Sequence, residues 1–338
     1  MTTLSGYTTS RNCFKGDYPI KEVINSLLEF CDEVVVADSS SNEDSTLEFL
    51  MDMANQEPRL KVRHFDDIDW SCTYHGVYDG VMKARARALC TSEFLFQTDM
   101  DEIVHPSDYL KIRDIINTFP AELSLLALPV IDYWGSEGKV RLDVPSWKWR
   151  ISRNVSVITH GIPKNLRRYD EQSRLFAAYG TDGCNYIHTI SGEEIPFGNF
   201  ASNDSEILRH SAVFNSKKAK QYESWFQHVL DNLPAIHHFS WFSLTRKTRS
   251  YKTFWGEFWK SLYNENAYKP NPMFGNLPPE DITEELIYKT AAELNTIGGW
   301  IFHSPWDKKT FTNHIRVSQS FPPIMTQWVE RNRDKFNA

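Results

Sequence analysis

The first hundred residues alternate between apolar stripes with helical spacing and short uninterrupted apolar runs. Apolar side chains at positions 20, 23, 24, 27, 28 and 31 fall on one helix face, which predicts a helix of about 14 residues. The run from Val34 to Ala37 shows no alternation, as is typical of a strand covered on both faces of a parallel sheet. Further helices are predicted after Asp44 and over about 76–90, with strands around Leu60 and over about 94–96.

This order of elements predicts a mostly parallel α/β sheet whose strands are joined by right-handed crossovers. Sheets of this type bind ligands outside the carboxyl ends of their strands. Asp38 follows one predicted strand, and Asp99 and Asp101 follow another. The pattern therefore predicts a ligand site that these acids share.

The chain changes character after about residue 130. Ten of its 11 tryptophans lie beyond that point. Strands are predicted near 123–131, 139–144 and 149–159, and helices near 217–231, 244–264, 280–295 and 322–336. We therefore expect an α/β part over 1–130, a mixed α+β part over 131–265 and a helical extension over 266–338.

Composition and charge exclude several classes of protein. The 338 residues are 41% hydrophobic and 24% charged, as in ordinary globular proteins. A net charge of -7 argues against nucleic acid as a partner. The five cysteines are widely spaced without a C-x-x-C pair, so neither a disulfide framework nor a zinc knuckle is predicted. Without a signal-peptide pattern or a long apolar run, we expect a cytoplasmic protein.

Asp99 and Asp101 form a D-x-D motif at the end of a predicted strand. Residues two apart on a strand face the same side, so both carboxylates would point into one site. Mg²⁺ and Mn²⁺ are commonly held by one or two carboxylates together with phosphate oxygens of a substrate. Without an ion, like charges 4 Å apart repel by about 4 kcal/mol at an effective dielectric constant of 20. The alternative is a polar loop in which the acids only cap the strand.

Four segments resemble the nucleotide-binding half of family-two glycosyltransferases with the GT-A fold. They are the opening segment 8–12, the segment 34–46, the D-x-D motif and the segment 106–109. The resemblance implies a GT-A fold, a UDP- or GDP-sugar as donor, and Mn²⁺ or Mg²⁺ as cofactor. It also implies that Asp38 contacts the nucleoside, although Ser39 stands where a second acid often follows. The donor contacts expected on this basis are Thr8, Thr9, Arg11, Asp38 and Asp99. Lys83 and Arg85, on the helix before the D-x-D motif, and Arg246, in a later basic segment, are expected donor contacts because a diphosphate needs cations.

Segments of the second half resemble a bacterial subgroup of these enzymes. The similar segments are 132–136, 149–154 and 238–241, so the resemblance extends over about residues 5–260. It implies single addition of a sugar to a glycan or lipid-linked glycan. It also implies that His238 joins Asp99 and Asp101 as a metal ligand, with His237 as the alternative. A histidine beside aromatic residues is otherwise a core residue with satisfied hydrogen bonds.

The segment 246–260 carries five basic residues and several aromatic ones. A diphosphate leaving group needs cations, so this segment is a candidate for a cationic flap that closes over the site. A basic amphipathic helix could equally rest on a membrane that carries a lipid-linked acceptor, which would make the protein peripheral at the inner face. The third interpretation is a core helix with one solvated face.

The family type implies inversion of configuration, which needs a general base for the acceptor hydroxyl. The acidic candidates are Asp182, Glu193 and Glu194, which follow the D-x-D motif by about the separation seen in related enzymes. Asp182 is slightly favoured, because a short side chain in a glycine-flanked loop is held more rigidly. The same Thr181 to Gly183 segment also fits a hairpin turn.

Other functions explain parts of the pattern. A D-x-D after an apolar strand also occurs in haloacid-dehalogenase-like phosphatases, but there the motif follows the first strand. Sugar nucleotidyltransferases begin with a glycine-rich loop that segment 8–12 does not provide. A non-catalytic carbohydrate-binding protein would explain the tryptophan content but would not need paired acids beside a nucleotide-like loop.

Overall fold

The computed structural model describes residues 2–67, 75–142, 144–160, 167–170, 175–178, 187–191, 193–252, 271, 273–297 and 320–332. Up to residue 117 its elements are β1 (Leu4–Ser10), α1 (Ile20–Phe30), β2 (Glu33–Asp38), α2 (Thr46–Gln56), β3 (Leu60–His64), α3 (His75–Ala88), β4 (Phe94–Gln97), β5 (Glu102–Val104) and α4 (Tyr109–Asn117). Strands and helices alternate as the hydrophobic pattern predicts.

The second half begins with short strands and ends with helices. The strands are β6 (Leu125–Trp134), β7 (Trp147–Arg153), β8 (Ile158–His160), β9 (Arg167–Asp170), β10 (Leu175–Ala178), β11 (Ile187–Thr189), β12 (Phe197–Gly198) and β13 (Ile236–Trp241). The helices are α5 (Asn203–Phe214), α6 (Ser216–Asn232), α7 (244–252), α8 (Glu284–Ile297) and α9 (Thr326–Arg331). Two small antiparallel pairs, β9–β10 and β8–β11, lie outside the main sheet.

The main sheet has the strand order β3-β2-β1-β4-β7-β6-β13-β5, with β12 beside β6. The pairs among β3, β2, β1 and β4 are parallel, as are β6 with β13 and β6 with β12. Strand β7 runs antiparallel to both β4 and β6, and β5 runs antiparallel to β13. The predicted α/β class is confirmed: a mixed α/β fold with a mostly parallel sheet and flanking helices.

Two details differ from the predicted elements. The strand expected near 139–144 is reduced to one bridge between Tyr133 and Val140, because the chain turns back there to start β7. The expected strand over 149–159 is divided into β7 and β8 by a turn at 156–157. The boundary expected near residue 130 falls inside β6, so the sheet continues across it.

Apolar packing explains the elements that the pattern predicts well. All six residues of β2 are buried, as expected for a strand with both faces covered. The apolar stripe of α1, including Val23, Ile24 and Leu27, belongs to the largest core cluster. No helix in the described part of the chain is both long enough and apolar enough to cross a bilayer.

The C-terminal residues 320–332 pack into this same core. Met325 and Trp328 are almost fully buried, and the Trp328 ring lies 6.2 Å from Phe239 and 6.4 Å from Phe242 between centroids. Helix α9 begins only at Thr326, because Pro322 and Pro323 precede it and form a short 3-10 turn.

We predict that Trp328→Ala lowers the free energy of unfolding by about 3–5 kcal/mol, as expected for a large aromatic side chain removed from a core. The control is Arg331→Ala on the same helix. Its partly exposed ion pair with Glu22 is expected to contribute less than about 1 kcal/mol. Urea denaturation measures both values. Equal effects would contradict the placement of this segment in the core.

Candidate functional site

The predicted acids lie at the carboxyl edge of the sheet. Asp38 is the last residue of β2, and Asp132 lies near the end of β6. Asp99 and Asp101 lie in the short turn between β4 and β5. The amide of Glu102 donates to the carbonyl of Asp99, and the amide of Phe239 in β13 donates to the carbonyl of Asp101 at 2.7 Å. The turn is therefore held by backbone hydrogen bonds from both sides.

The two D-x-D carboxylates face different partners. Because 98–101 is a turn, the alternation argument for a strand does not apply, and the two carboxylates contact different protein groups. The prediction that both hold one metal ion stays a prediction. Asp99 faces Lys83, Lys148 and Arg150. Asp101 faces His238, with its Oδ1 at 3.5 Å from Nε2 of the imidazole. The acids thus belong to two adjoining groups of charges.

The first group, which we call the six-charge cluster, contains three acids and three bases. Lys83 Nζ lies 2.7 Å from Asp99 and 2.8 Å from Asp79. Arg150 lies 2.6 Å from one oxygen of Glu102 and 3.2 Å from Asp99. The members are Asp79, Lys83, Asp99, Glu102, Lys148 and Arg150. Since the charges balance, the cluster can be buried without a net charge.

Burial alone would raise the pKa of Glu102, but the charges of Arg150 and Lys148 outweigh it and hold that pKa below its usual value. The same balance holds the pKa of Asp99 well below its usual range, with Lys83 as the strongest cation. Asp79 differs, because burial outweighs the charge of Lys83 and raises its pKa. Asp99 and Glu102 are therefore ionised, and their cations are committed to them.

The second group contains Asp101, His238 and Asp132. Imidazole Nδ1 of His238 lies 3.0 Å from Oδ1 of Asp132, an ion-pair contact rather than an aligned hydrogen bond. Burial and Lys148 lower the pKa of His238, but Asp132 and Asp101 outweigh them and raise it to about 9. The charge of His238 in turn outweighs burial and lowers the pKa of Asp101. His238 thus bridges two acids that come from different strands.

The Asp101–His238 pair fits part of the predicted metal site. Two ligands of an octahedral ion at about 2.1 Å are about 3 Å apart, close to the 3.5 Å between Oδ1 and Nε2. Asp132 contacts the other ring nitrogen, as acids beside metal-bound histidines commonly do. Within the described ranges, however, no three His, Cys, Asp or Glu side chains converge on one possible ion. An ion here would need further oxygen ligands from a substrate or from water.

His237, the alternative ligand, points to the other face of β13. It is fully buried, and its Nδ1 lies 2.7 Å from the hydroxyl of Tyr133. Burial lowers the pKa of His237 to about 3, so it is a neutral core residue. The alternation of a strand explains why only one of two adjacent histidines reaches the site.

The basic residues of α7 are mostly committed to the fold. Arg246 donates to the carbonyl oxygens of Gly16, Phe239 and Ser240, and its guanidinium lies 4.9 Å from the Tyr18 ring. It also reaches the site, where it lies 3.9 Å from Oδ2 of Asp101. Arg249 binds Glu284, and Lys252 donates to the carbonyl of Ile282. The expected flap is a packed helix over 244–252, and its continuation to 260 lies outside the described residues.

Lys247 is the exception on this helix. Its ammonium donates to Ser240 Oγ at 2.8 Å and lies 5.4 Å from the Trp241 ring and 5.8 Å from the Tyr251 ring. In the part of the chain that the structure describes, no carboxylate is within ion-pair distance of it. Burial lowers the pKa of Lys247 to about 8, and the more distant charge of Asp101 offsets this only in part. Lys247 is thus a partly desolvated cation beside the Asp101–His238 pair.

Several residues that were expected to contact the donor are buried or already bound to other protein groups. Thr8 is fully buried within β1, and Lys83 is buried in the six-charge cluster. Arg85 forms a bidentate pair with Asp67 and covers the Phe65 ring. Thr9 and Arg11 are partly buried at the end of β1 and just after it. Asp38 is fully buried among protein donors.

The structure does not bring Glu193 and Glu194 to the site. Thr189 Oγ1 donates to the carbonyl of Glu193, and Thr189 pairs with Ile158 between β11 and β8. The carbonyl of Ile158 accepts from Arg87, which lies at the C-terminal end of α3. That end of α3 lies at the amino edge of the sheet, opposite the acids. Asp182 lies outside the described residues, so its role as the base stays a prediction.

Several residues of the site were missed by sequence reasoning. Lys148, Glu102, Asp79 and Lys247 received no individual role, and Asp132 and Arg150 appeared only within similar segments. One signal was present, because Lys148 and Arg150 alternate with Trp147 and Trp149. Such alternation predicts two cations on one face of a strand.

No family model and no curated protein matches this chain. Among solved structures, it is similar to S. aureus TarS 1-349, at 17% identity over 88% of this chain and 93% of that chain, with a TM-score of 0.35. It is also similar to that protein in complex with UDP-GlcNAc, at 16% identity over the same shares and a TM-score of 0.34. A third is glucosyl-3-phosphoglycerate synthase from Mycobacterium tuberculosis in complex with Mn²⁺, UDP and glucosyl-3-phosphoglycerate, at 14% identity over 45% of this chain and 57% of that chain, with a TM-score of 0.30. Similarities this low identify neither a donor nor an acceptor for this chain.

We predict that Arg150→Met lowers the free energy of unfolding by about 3–5 kcal/mol at pH 8, because it leaves the fully buried Glu102 without its main cation. Arg85→Met, which breaks an exposed pair, is expected to cost less than about 1 kcal/mol. In the wild type, the lowered pKa of Glu102 contributes stability that is present above about pH 4.5 and is lost as the pH falls below it.

In Arg150→Met, protonation of Glu102 removes a buried charge that no longer has its main partner. The loss of unfolding free energy relative to wild type should therefore become smaller as the pH falls from 8 to 5. Urea denaturation at several pH values measures this difference. A deficit that is small at pH 8, or independent of pH, would contradict the assigned charge balance.

Proposed function

We propose that this protein is a glycosyltransferase that moves a sugar from a nucleoside diphosphate sugar to a hydroxyl group of an acceptor. The observation that carries the proposal is the Asp101–His238 pair at the carboxyl edge of the sheet. Asp101 comes from the turn after β4 and His238 from β13, and Asp132 contacts the far side of the imidazole. The family resemblance of the D-x-D motif and of segment 238–241 supports the same assignment.

Asp101 and His238 are the residues that would hold Mn²⁺ or Mg²⁺, together with oxygens of the donor diphosphate. When bound, such an ion neutralises charge that develops on the leaving diphosphate. Asp99 does not act as a free ligand in this proposal, because Lys83 and Arg150 already bind its carboxylate. Its role is to fix the turn that carries Asp101.

Lys247 supplies the protein's own positive charge to the leaving group. Its ammonium is partly desolvated, and Ser240 and two aromatic rings hold it beside the metal-site acids. An anionic oxygen of the diphosphate placed against Lys247 would replace the solvation that burial removes from the ammonium. Preorganised cations of this kind stabilise developing charge without further rearrangement.

The donor is expected to be a UDP- or GDP-sugar and the acceptor a glycan or lipid-linked glycan, with inversion at the sugar carbon. In our proposal Asp182 is the general base that inversion requires, and it takes the proton of the acceptor hydroxyl. The same proposal includes peripheral contact of the protein with a membrane surface, because a lipid-linked acceptor would be held there.

We predict that Asp101→Asn weakens Mn²⁺-dependent binding of UDP or GDP by at least about 10- to 100-fold, because it removes a ligand that carries full charge. Isothermal titration calorimetry with and without Mn²⁺ measures the change. Asp52→Asn, on the exposed face of α2, is the matched control and should bind as the wild type does. Wild-type affinity that is the same in Mn²⁺ and in EDTA would contradict the metal site.

We predict that Lys247→Met weakens binding of the nucleoside diphosphate by about 10-fold or more while leaving binding of the nucleoside unchanged. The difference in affinity between diphosphate and nucleoside should also fall in the wild type as the pH rises through about 8, where Lys247 loses its proton. In Lys247→Met this pH dependence should disappear. Arg249→Met, on the same helix but bound to Glu284, is the control. Equal loss in both variants would favour a general effect of the charge of α7.

A further inference from the structure

Asp38, the acid expected to contact the nucleoside, is enclosed by protein donors. Its Oδ1 accepts from the hydroxyls of Ser10 at 2.6 Å and Ser40 at 2.7 Å. Its Oδ2 accepts from the amide of Ser40 at 3.0 Å and lies 2.8 Å from Nδ1 of His64. The Asp38 side chain has no exposed surface. Four donors fill the acceptor positions of an ionised carboxylate, so Asp38 has none left for a ligand.

The direction of these hydrogen bonds is fixed by their neighbours. The amide of Asn12 donates to Ser40 Oγ at 2.9 Å, so the hydroxyl proton of Ser40 is free to point toward Asp38. An ionised carboxylate only accepts, so Nδ1 of His64 must carry a proton. In the neutral imidazole the other nitrogen, Nε2, is then an acceptor.

His64 ends β3, beside Asp38 on β2, and 29% of its side chain is exposed. Nδ1 is the end bound to the buried acid, and the His64 side chain makes no other hydrogen bond within the described residues. The exposed part of the ring therefore carries an oriented acceptor at the same carboxyl edge as Asp101. This is the edge at which sheets of this topology bind nucleotides.

We propose that His64, positioned by Asp38, contacts the nucleoside of the donor and accepts one hydrogen bond at Nε2. This inference rests on the proposed function, because it deepens the description of the donor. The chemistry that Nε2 recognises is a hydrogen-bond donor on the nucleoside. The groups that supply one are the ring N–H of uracil or guanine, the exocyclic amino group of guanine, and the two ribose hydroxyls. Asp38 is a positioning residue whose effect on the ligand passes through His64.

The test compares wild type with His64→Asn. The asparagine amide can take the place of Nδ1 and keep the hydrogen bond to Asp38, but it has nothing at the position of Nε2. His64→Leu is the second variant, and His228→Leu, at an exposed position of α6, is the control. Thermal unfolding without nucleotide shows that each variant is folded.

Calorimetry in Mn²⁺ first identifies which of UDP and GDP binds the wild type more tightly. That nucleotide is then compared with its base N-methyl analogue, methylated at N3 of uracil or N1 of guanine, and with its 2′-deoxy and 3′-deoxy analogues. For GDP the comparison includes inosine diphosphate, which lacks the exocyclic amino group. We expect one of these analogues to bind the wild type and His228→Leu about 3- to 10-fold more weakly than the parent. His64→Asn and His64→Leu should bind that analogue and the parent equally.

The analogue that is affected identifies the source of the donor. Loss with the N-methyl analogue or with inosine diphosphate assigns the contact to the base, and loss with either deoxy analogue assigns it to the ribose. If both His64 variants keep the wild-type discrimination, or if the wild type shows none, His64 does not contact the nucleoside and the inference is overturned while the proposed function stands. If neither UDP nor GDP binds the wild type, both are overturned.

Discussion

The site depends on the attachment of one turn to one strand. The amide of Phe239 donates to the carbonyl of Asp101, and β5 pairs antiparallel with β13 immediately after that turn. These backbone contacts set the distance between Asp101 and the neighbouring His238. They join residues that are more than a hundred positions apart, so the geometry of the pair is a property of the assembled sheet.

Charge balance is the second constraint on the same turn. Asp99 and Glu102 flank Asp101; Glu102, Lys83 and Arg150 are buried, and Asp99 and Lys148 are partly buried beside them. Burying any of these groups alone would be expensive, and burying them together is possible because each has a partner of opposite sign. Asp101 and His238 lie at the margin of this balanced cluster, so a change of charge at the cluster would also change the electrostatic surroundings of the pair.

Hydrophobic periodicity predicted the elements whose packing is local. The stripe of α1 and the apolar run of β2 lie where expected, and the helix expected over 217–231 is α6 over Ser216–Asn232. The location of the D-x-D motif at a strand end was also predicted. The partners of its acids were not, because they depend on β7 lying between β4 and β6. The hydrogen bond of His64 to Asp38 likewise depends on the register between β2 and β3, which a single sequence does not specify.

The antiparallel strand β7 joins the two halves of the chain, and this connection limits which parts of the protein can be replaced during evolution. It carries Lys148 and Arg150 from the second half into the charge cluster of the first. A fragment ending near residue 130 would expose the edge of β4 and leave Glu102 buried without these cations. The halves are therefore not interchangeable modules. A new binding specificity would have to arise in the segments that leave the sheet, since replacing the second half as a block would remove the cations that pair with Asp99 and Glu102.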